Sequence, residues 1–323
     1  MTTKAGVTRR EFMSRAATFS VAVSTTTLLP ASRLVAAGEG GKRYVIIHAD
    51  DAGMSHNVNE ATIEGFEKGI VSSCSIMVPC PWFVEFAKYA EEHHEHDYGI
   101  HLTLNSEWRH FRWGPVAKRS DVPSLLDKRG YLWPDSPQTA ANGNAREVEI
   151  ELRAQIERAL EFGVPLSHLD THMGTLFTRP DFIEVYVNLG MRYNLPVMMV
   201  KNATELIRRR FPKVADRVIG IEKRLAEKQL PMLDSLTTGV GDGPYEERRD
   251  GYLKVLKELP EGVSQIIIHC GIEGAELRGI TAKWRQRDED RRVFTDPEVI
   301  AAVKEMGVEP ISWKKFRELH AKS

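Results

Sequence analysis

From Tyr44 to the end of the chain, short apolar runs rich in β-branched residues alternate with longer stretches whose apolar residues recur at helical spacing. The runs are Tyr44–Ala49, Ser73–Val78, Tyr98–Thr103, Ser167–Asp170, Pro196–Val200, Met232–Leu236, Gln265–His269 and Glu309–Ser312. They lack polar alternation, which marks strands covered on both faces, and the helical stretches between them supply the crossovers that parallel strands need. Val148, Leu152, Ile156 and Leu160 fall on one helix face, and Pro180 suits the first turn of another helix ahead of Phe182, Val185 and Leu189. The class is therefore α/β. About eight such units in roughly 285 residues predict a (β/α) barrel, irregular in places, as a single domain over residues 38–323. An open doubly wound sheet competes, but it usually carries a glycine-rich phosphate turn after its first strand. Here that position reads His48-Ala49-Asp50-Asp51-Ala52-Gly53.

Residues 1–37 read as an export signal rather than as fold. Arg9 and Arg10 stand just ahead of a weakly apolar run from Ala16 to Leu29, and Val35-Ala36-Ala37 offers small residues for cleavage near Gly38. The pattern resembles a twin-arginine signal, which carries folded proteins to a periplasmic or extracellular location. The run falls short of the ~20 apolar residues of a membrane-spanning helix, so no stable span is expected. An oxidising compartment would leave at least one of Cys74, Cys80 and Cys270 unpaired, and buried apolar roles suit all three. With 44 Lys and Arg against 45 Asp and Glu, charge gives no reason to expect nucleic acid or an anionic membrane as partner. A homodimer is compatible with such a chain.

Four of the expected strands end in groups that bind metals or protons: His48-Ala49-Asp50-Asp51, His101-Leu102-Thr103, His168-Leu169-Asp170-Thr171-His172 and His269-Cys270-Gly271. Any one of them is weak evidence, because a lone buried histidine is more often a satisfied core residue. Parallel barrel strands, however, deliver all their C-terminal ends to one mouth. Adjacent strand residues point to opposite faces, so only one of Asp50 and Asp51 is expected to aim directly at a metal, with a helix N-cap as the ordinary alternative for the other. The long connection from Asn105 to about Asn144 must lie on the same face, and it carries Trp108, Trp113, Tyr131 and Trp133.

Asp50-Asp51-Ala52-Gly53, Gly99-Ile100-His101-Leu102-Thr103-Leu104 and His168-Leu169-Asp170-Thr171-His172 resemble the three signatures of the YdjC-type carbohydrate deacetylases. Asn59-Glu60-Ala61 and Gly69-Ile70-Val71-Ser72-Ser73 resemble that family too, and the likeness runs from Lys42 to about Leu319. It implies an irregular barrel, one divalent metal ion (magnesium by family, with zinc or another ion as alternatives) and removal of N-acetyl groups from amino sugars or oligosaccharides. By the same resemblance Asp51, His101 and His172 would be metal ligands, Asp50 the general base and His269 the general acid. Such a set has the parts of metal-assisted amide hydrolysis: a polarised carbonyl, a base for water and a proton donor for the amine.

The family's further histidines after the third motif are replaced by Met173-Gly174-Thr175, and the loop Asn105-Ser106-Glu107-Trp108 suggests a branch with a different substrate. His168 and Asp170 are expected to orient His172, and His56, Trp108 and Trp113 to contact the saccharide. His93, His94 and His96 read as a solvated helix end. Arg285, Arg287, Asp288 and Asp290 read as a solvated loop, from which one arginine could bind a sugar or a carboxylate. Hydrolysis of another ester or a phosphoester, or sugar binding without catalysis, are the rival functions. A phosphoesterase of the two-metal kind would require a further ligand cluster.

Overall fold

A computed structural model describes residues 41–201 and 212–322; the export-signal segment lies outside them. In chain order the elements are β1 (Arg43–Ala52), α1 (His56–Lys68), β2 (Ser73–Ile76), α2 (Phe83–Glu92), β3 (Tyr98–Leu102), α3 (Ser136–Asn142), α4 (Ala145–Glu161), β4 (Leu166–Thr171), α5 (Pro180–Tyr193), α6 (Pro212–Glu227), β5 (Ser235–Thr237), α7 (Tyr245–Lys257), β6 (Gly262–Ile268), α8 (Ala275–Ile280), α9 (Trp284–Thr295), α10 (Pro297–Glu305), β7 (Val308–Pro310) and α11 (Trp313–His320). The strands pair in parallel in the order β4-β3-β2-β1-β6-β5, the curled sheet expected of a (β/α) barrel.

Two expected strands behave differently. Residues 196–200 form no ladder but make isolated parallel bridges, Leu169 with Val197 and Val200 with Leu233, which join β4 to the segment entering β5. Pro196 and Pro231 each remove a backbone donor at the start of these segments, so only short pairing survives. The expected eighth strand, β7, lies off the main path. It pairs with Arg43–Val45 at the start of β1 and stops at Pro310, before the chain turns into α11. The barrel is thus irregular, with its closure resting on bridges.

The period-two alternation of β1 sorts its side chains between two environments. Val45, Ile47 and Ala49 join the large core that includes Val58, Phe86, Leu152 and Phe294 from the surrounding helices. Ile46 belongs to a second cluster with Met198, Leu233, Ile267 and Trp313. Along the same face as Ile46 come His48, fully buried, and then Asp50. Trp313 Nε1 donates to Gln265 at 2.9 Å, and its ring stacks on His168 at 5.0 Å, so the interior changes from apolar to polar towards the strands' C-terminal ends. Val148, Leu152 and Ile156 of α4 are buried as their spacing predicts, whereas Leu160, the last residue but one of the helix, is exposed. The cysteines are free and buried, Cys74 on β2 and Cys80 in the turn after it.

Candidate active site

Asp50 and Asp51 escape strict strand alternation through a local irregularity. The β1–β2 register shifts between Ala49 and Ala52, and Asp51 has a left-handed backbone with φ 72°. Such a conformation is uncommon outside glycine and persists where surroundings impose it. Here Gly53 continues the turn with φ 86°; a Cβ at that position would lie 3.2 Å from the Phe83 Cα. Asn59 Oδ1 accepts from the Gly53 N–H at 2.7 Å, while its amide donates to Glu85 and to the Trp82 carbonyl. This clamp gives the Asn59-Glu60-Ala61 stretch a structural purpose. Ser55, not an aspartate, caps α1.

The bulge turns both carboxylates towards one centre. Asp51 Oδ1 lies 3.4 Å from His101 Nε2 and 3.4 Å from His172 Nδ1, and the three residues form a buried group whose donor atoms could hold one metal ion. Asp50 Oδ2 sits 3.7 Å from the same His101 nitrogen and 3.9 Å from His269 Nε2. Asp50 Oδ1 and Asp51 Oδ1 are both buried without a hydrogen-bond partner. A buried carboxylate oxygen left so is costly, and here two of them face imidazole nitrogens, which is what a cation-binding centre provides. The residues fit a divalent metal.

Electrostatics divides the pair. Burial lifts the Asp50 carboxyl to about 7, with Asp170 and Asp51 adding to the shift and His101 and His48 opposing it. Burial acts on Asp51 in the same direction but is overcome by Arg287, His101 and His172, which hold its carboxyl well below the usual range. Arg287 Nη2 reaches Asp51 Oδ2 at 2.5 Å, so Oδ1 remains for the centre. Burial disfavours the His172 imidazolium, yet Glu107 and Asp51 hold its pKa at about 9. His269 is drawn down to about 4 by removal from water, with Asp51 opposing. Its backbone N–H donates to Asp290, whose carboxylate also takes Tyr252 and the buried Arg248.

Several expected roles move. Asp170 does not orient His172. Its Oδ1 takes His101 Nδ1 at 2.6 Å and its Oδ2 takes His48 Nε2 at 3.0 Å, because the β3–β4 register sets Asp170 opposite His101. His168 is fully buried between Trp313 and Ser167, one layer below the mouth, and does not reach His172. His56 pairs with Glu85 on the outside of the turn and is absent from the cavity lining. Arg287 and Asp290 are buried on α9 rather than solvated in a loop, since Asp51 and Arg248 neutralise them. His93 and His96 lie partly exposed beside Glu95, stacked near Tyr89 and Phe66 before β3, away from the mouth.

The mouth opens into a cavity of about 490 Å³ bounded by the acid–histidine centre and by Glu107, Met173, Phe177, Leu236 and Ile267. A larger apolar groove, about 670 Å³, lies by α10 and β7 and holds none of the motif residues. The tryptophans of the long loop do not line the catalytic cavity. Trp113 is buried, packs edge-on to Trp108 at 5.3 Å and serves to pin the loop; Trp133 donates to the Ser124 carbonyl. Phe177, exposed at the mouth, was hidden in the sequence because it follows His172 through an irregular turn, with Met173 and Gly174 at φ 54° and 63°. Glu107 stands out in the sequence only as part of the Asn105-Ser106-Glu107-Trp108 loop, with no motif spacing that ties it to a histidine.

Together, fold and site define a parallel (β/α)-barrel protein with an acid–histidine centre at the C-terminal ends of its strands. The chain belongs to the YdjC-like protein family, whose family model matches residues 44–305. A carbohydrate deacetylase of Thermus thermophilus is 33% identical over 283 residues, covering 87% of this chain and 96% of that protein. One from Geobacillus stearothermophilus is 28% identical over 279 residues, covering 86% and 99%. Among solved structures, an Enterococcus faecalis V583 protein whose suggested role is cellobiose-phosphate cleavage aligns with TM-score 0.72 at 24% identity, covering 85% of this chain and 99% of its own. That likeness supports the fold.

Proposed function

We propose that the protein is a metal-dependent carbohydrate deacetylase that hydrolyses the N-acetyl group of an amino sugar or oligosaccharide. The observation that carries this reading is the buried Asp51–His101–His172 group, in which Asp51 Oδ1 has no hydrogen-bond partner, set beside Asp50 at an open cavity. The family and the two curated deacetylase relatives agree with it. Asp51, His101 and His172 would hold the ion; when bound, it supplies Lewis-acid polarisation of the amide carbonyl and of water. Two imidazoles with one carboxylate suit zinc or a similar transition ion better than magnesium, which prefers oxygen donors.

Asp50, held near 7, is suited to take a proton from the attacking water. Water oxygen bonds to the acetyl carbon, the C–N bond breaks, and the amine nitrogen must gain a proton to leave. The proton the amine needs balances the one Asp50 takes from water, and His269, which faces the same cavity 3.9 Å from Asp50, would deliver it to the nitrogen, with water or substrate bridging the gap between the two residues. Phe177 offers an aromatic face to the apolar side of a sugar ring.

Export through the twin-arginine route belongs to the same reading and rests on Arg9, Arg10 and Val35-Ala36-Ala37. Among the described residues no helix is long and apolar enough to cross a membrane. The deciding assay is acetate release from a panel of N-acetylated saccharides, by metal-stripped protein and after adding back zinc, magnesium or manganese. Release that needs neither added metal nor His101 would overturn the mechanism. Binding of sugar without release would favour the non-catalytic alternative.

A further inference from the structure

His101 and His172 approach the same Asp51 oxygen through different ring nitrogens, Nε2 of the first and Nδ1 of the second. Each imidazole therefore has its other nitrogen free to bind elsewhere, and each meets a carboxylate there. His101 Nδ1 donates to Asp170 at 2.6 Å. His172 Nε2 lies 3.1 and 3.2 Å from the two oxygens of Glu107. A histidine whose far nitrogen donates to a carboxylate has its tautomer, orientation and basicity set by that bond.

We propose that Glu107 is the positioning carboxylate of His172, which makes the long loop after β3 a working part of the metal centre and not only a wall for substrate. This rests on the reading of Asp51, His101 and His172 as ligands. Asp170 comes from the rigid strand next to His101, whereas Glu107 comes from a connection and needs anchoring. The structure supplies it at both ends. The Ser106 N–H donates to the Trp133 carbonyl at 2.8 Å, and the Ser106 hydroxyl accepts from the Trp113 N–H at 2.9 Å and Arg112 Nε at 3.0 Å. On the other side the Thr175 hydroxyl sits within reach of both Asn105 Oδ1 and the His172 carbonyl, tying the loop's first residue to the backbone of the histidine it orients. The backbone of Trp113 and of Trp133 thus holds Ser106, and so Glu107, in place.

The experiment is calorimetric titration of metal-stripped protein with Zn²⁺, comparing wild type, Glu107→Gln, Glu107→Ala and His172→Ala. Wild-type uptake of one ion, with Kd weakened about tenfold by Glu107→Gln and towards a hundredfold by Glu107→Ala, is expected. In the zinc-loaded wild type, long-range ¹⁵N–¹H NMR should show the His172 proton on Nε2 and the His101 proton on Nδ1. The Nε2 proton should exchange faster in Glu107→Ala. Melting temperatures of the metal-free proteins separate loss of fold from loss of positioning, and the near-isosteric Glu107→Gln keeps the test sound if the alanine variant unfolds. Failure of wild type to bind zinc or any other dication sinks the metal reading and this inference together. Wild-type binding that both Glu107 variants match, while His172→Ala loses it, overturns the inference and leaves the metal reading standing.

Discussion

Asp50 and Asp51 share one cavity although they are neighbours on a strand, and their environments give them different work. Asp51 is pinned by Arg287 and lies between two histidines, while Asp50 is buried with weaker compensation and keeps a proton affinity near neutrality. Asp50→Asn should therefore retain bound metal and lower kcat by roughly 10²–10⁴, the usual worth of a general base. Asp51→Asn should lose metal. Metal content by elemental analysis beside acetate-release kinetics checks the division, and the opposite pattern would exchange the two roles. At the cavity mouth, Phe177→Ala should raise KM for an N-acetylated oligosaccharide roughly five- to tenfold with little change in kcat, about 1 kcal/mol of ring stacking. Trp113→Phe should leave KM nearly unchanged, since Trp113 is buried in the loop anchor and not at the cavity. A KM effect at Trp113 and none at Phe177 would return saccharide contact to the loop.

The long loop is the element whose role changed most. Its tryptophans were expected to face substrate, but their spacing could not distinguish a surface for sugar from a plug against the barrel, because both need apolar area. The deciding contacts come from α4. Glu151, fully buried, accepts the backbone N–H groups of Val116 and Ala117 at 2.9 Å each, and Gln155 bonds to it and to both backbone groups of Thr103. A helix turn thereby fastens the loop to the end of β3. Glu151→Ala leaves two backbone donors without their partner and should cost about 2–3 kcal/mol of stability. Chemical denaturation would measure that loss. Zinc affinity should fall in the same variant, because Ser106 and Glu107 belong to the loop it holds. An unchanged denaturation midpoint would show that the loop is fastened elsewhere.

Across the whole barrel, hydrogen bonding is uneven. β1 pairs with β6 along seven residues, whereas the closure between β4 and β5 depends on isolated bridges through Val197, Val200 and Leu233. Local opening follows the weakest pairing. Amide exchange should accordingly be faster at Met198, Lys201 and Leu233, the bridge donors, than at the amides of β1 and β6. Equal protection around the ring would mean that packing of Met198 and Leu233 against Ile46 and Trp313 carries the closure instead. At the same scale, replacing Arg9 and Arg10 together with lysine should retain the precursor inside the cell, read by fractionation. Continued export would exclude the twin-arginine route.

The alternation of apolar runs with helical stretches was enough to determine an α/β class and parallel strands, because strand burial and helix periodicity are local patterns. The order of Asp50-Asp51, His101, Asp170-Thr171-His172 and His269 at strand ends was likewise legible, since a parallel barrel sends every C-terminal end to one mouth. Three matters depended on tertiary structure. The bulge at Asp51 requires a register shift against β2, which no spacing within β1 reveals. The pairing of Asp170 with His101 and of Glu107 with His172 follows from strand register and from a loop folded back through Trp133, so it joins residues 69 and 65 positions apart. The burial of Arg287 follows from Asp51, 236 positions away, which neutralises it where the sequence shows only a run of charge. Local order can place a donor at the mouth of a barrel. Which partner it meets there is decided by distances that arise only when the whole sheet has curled.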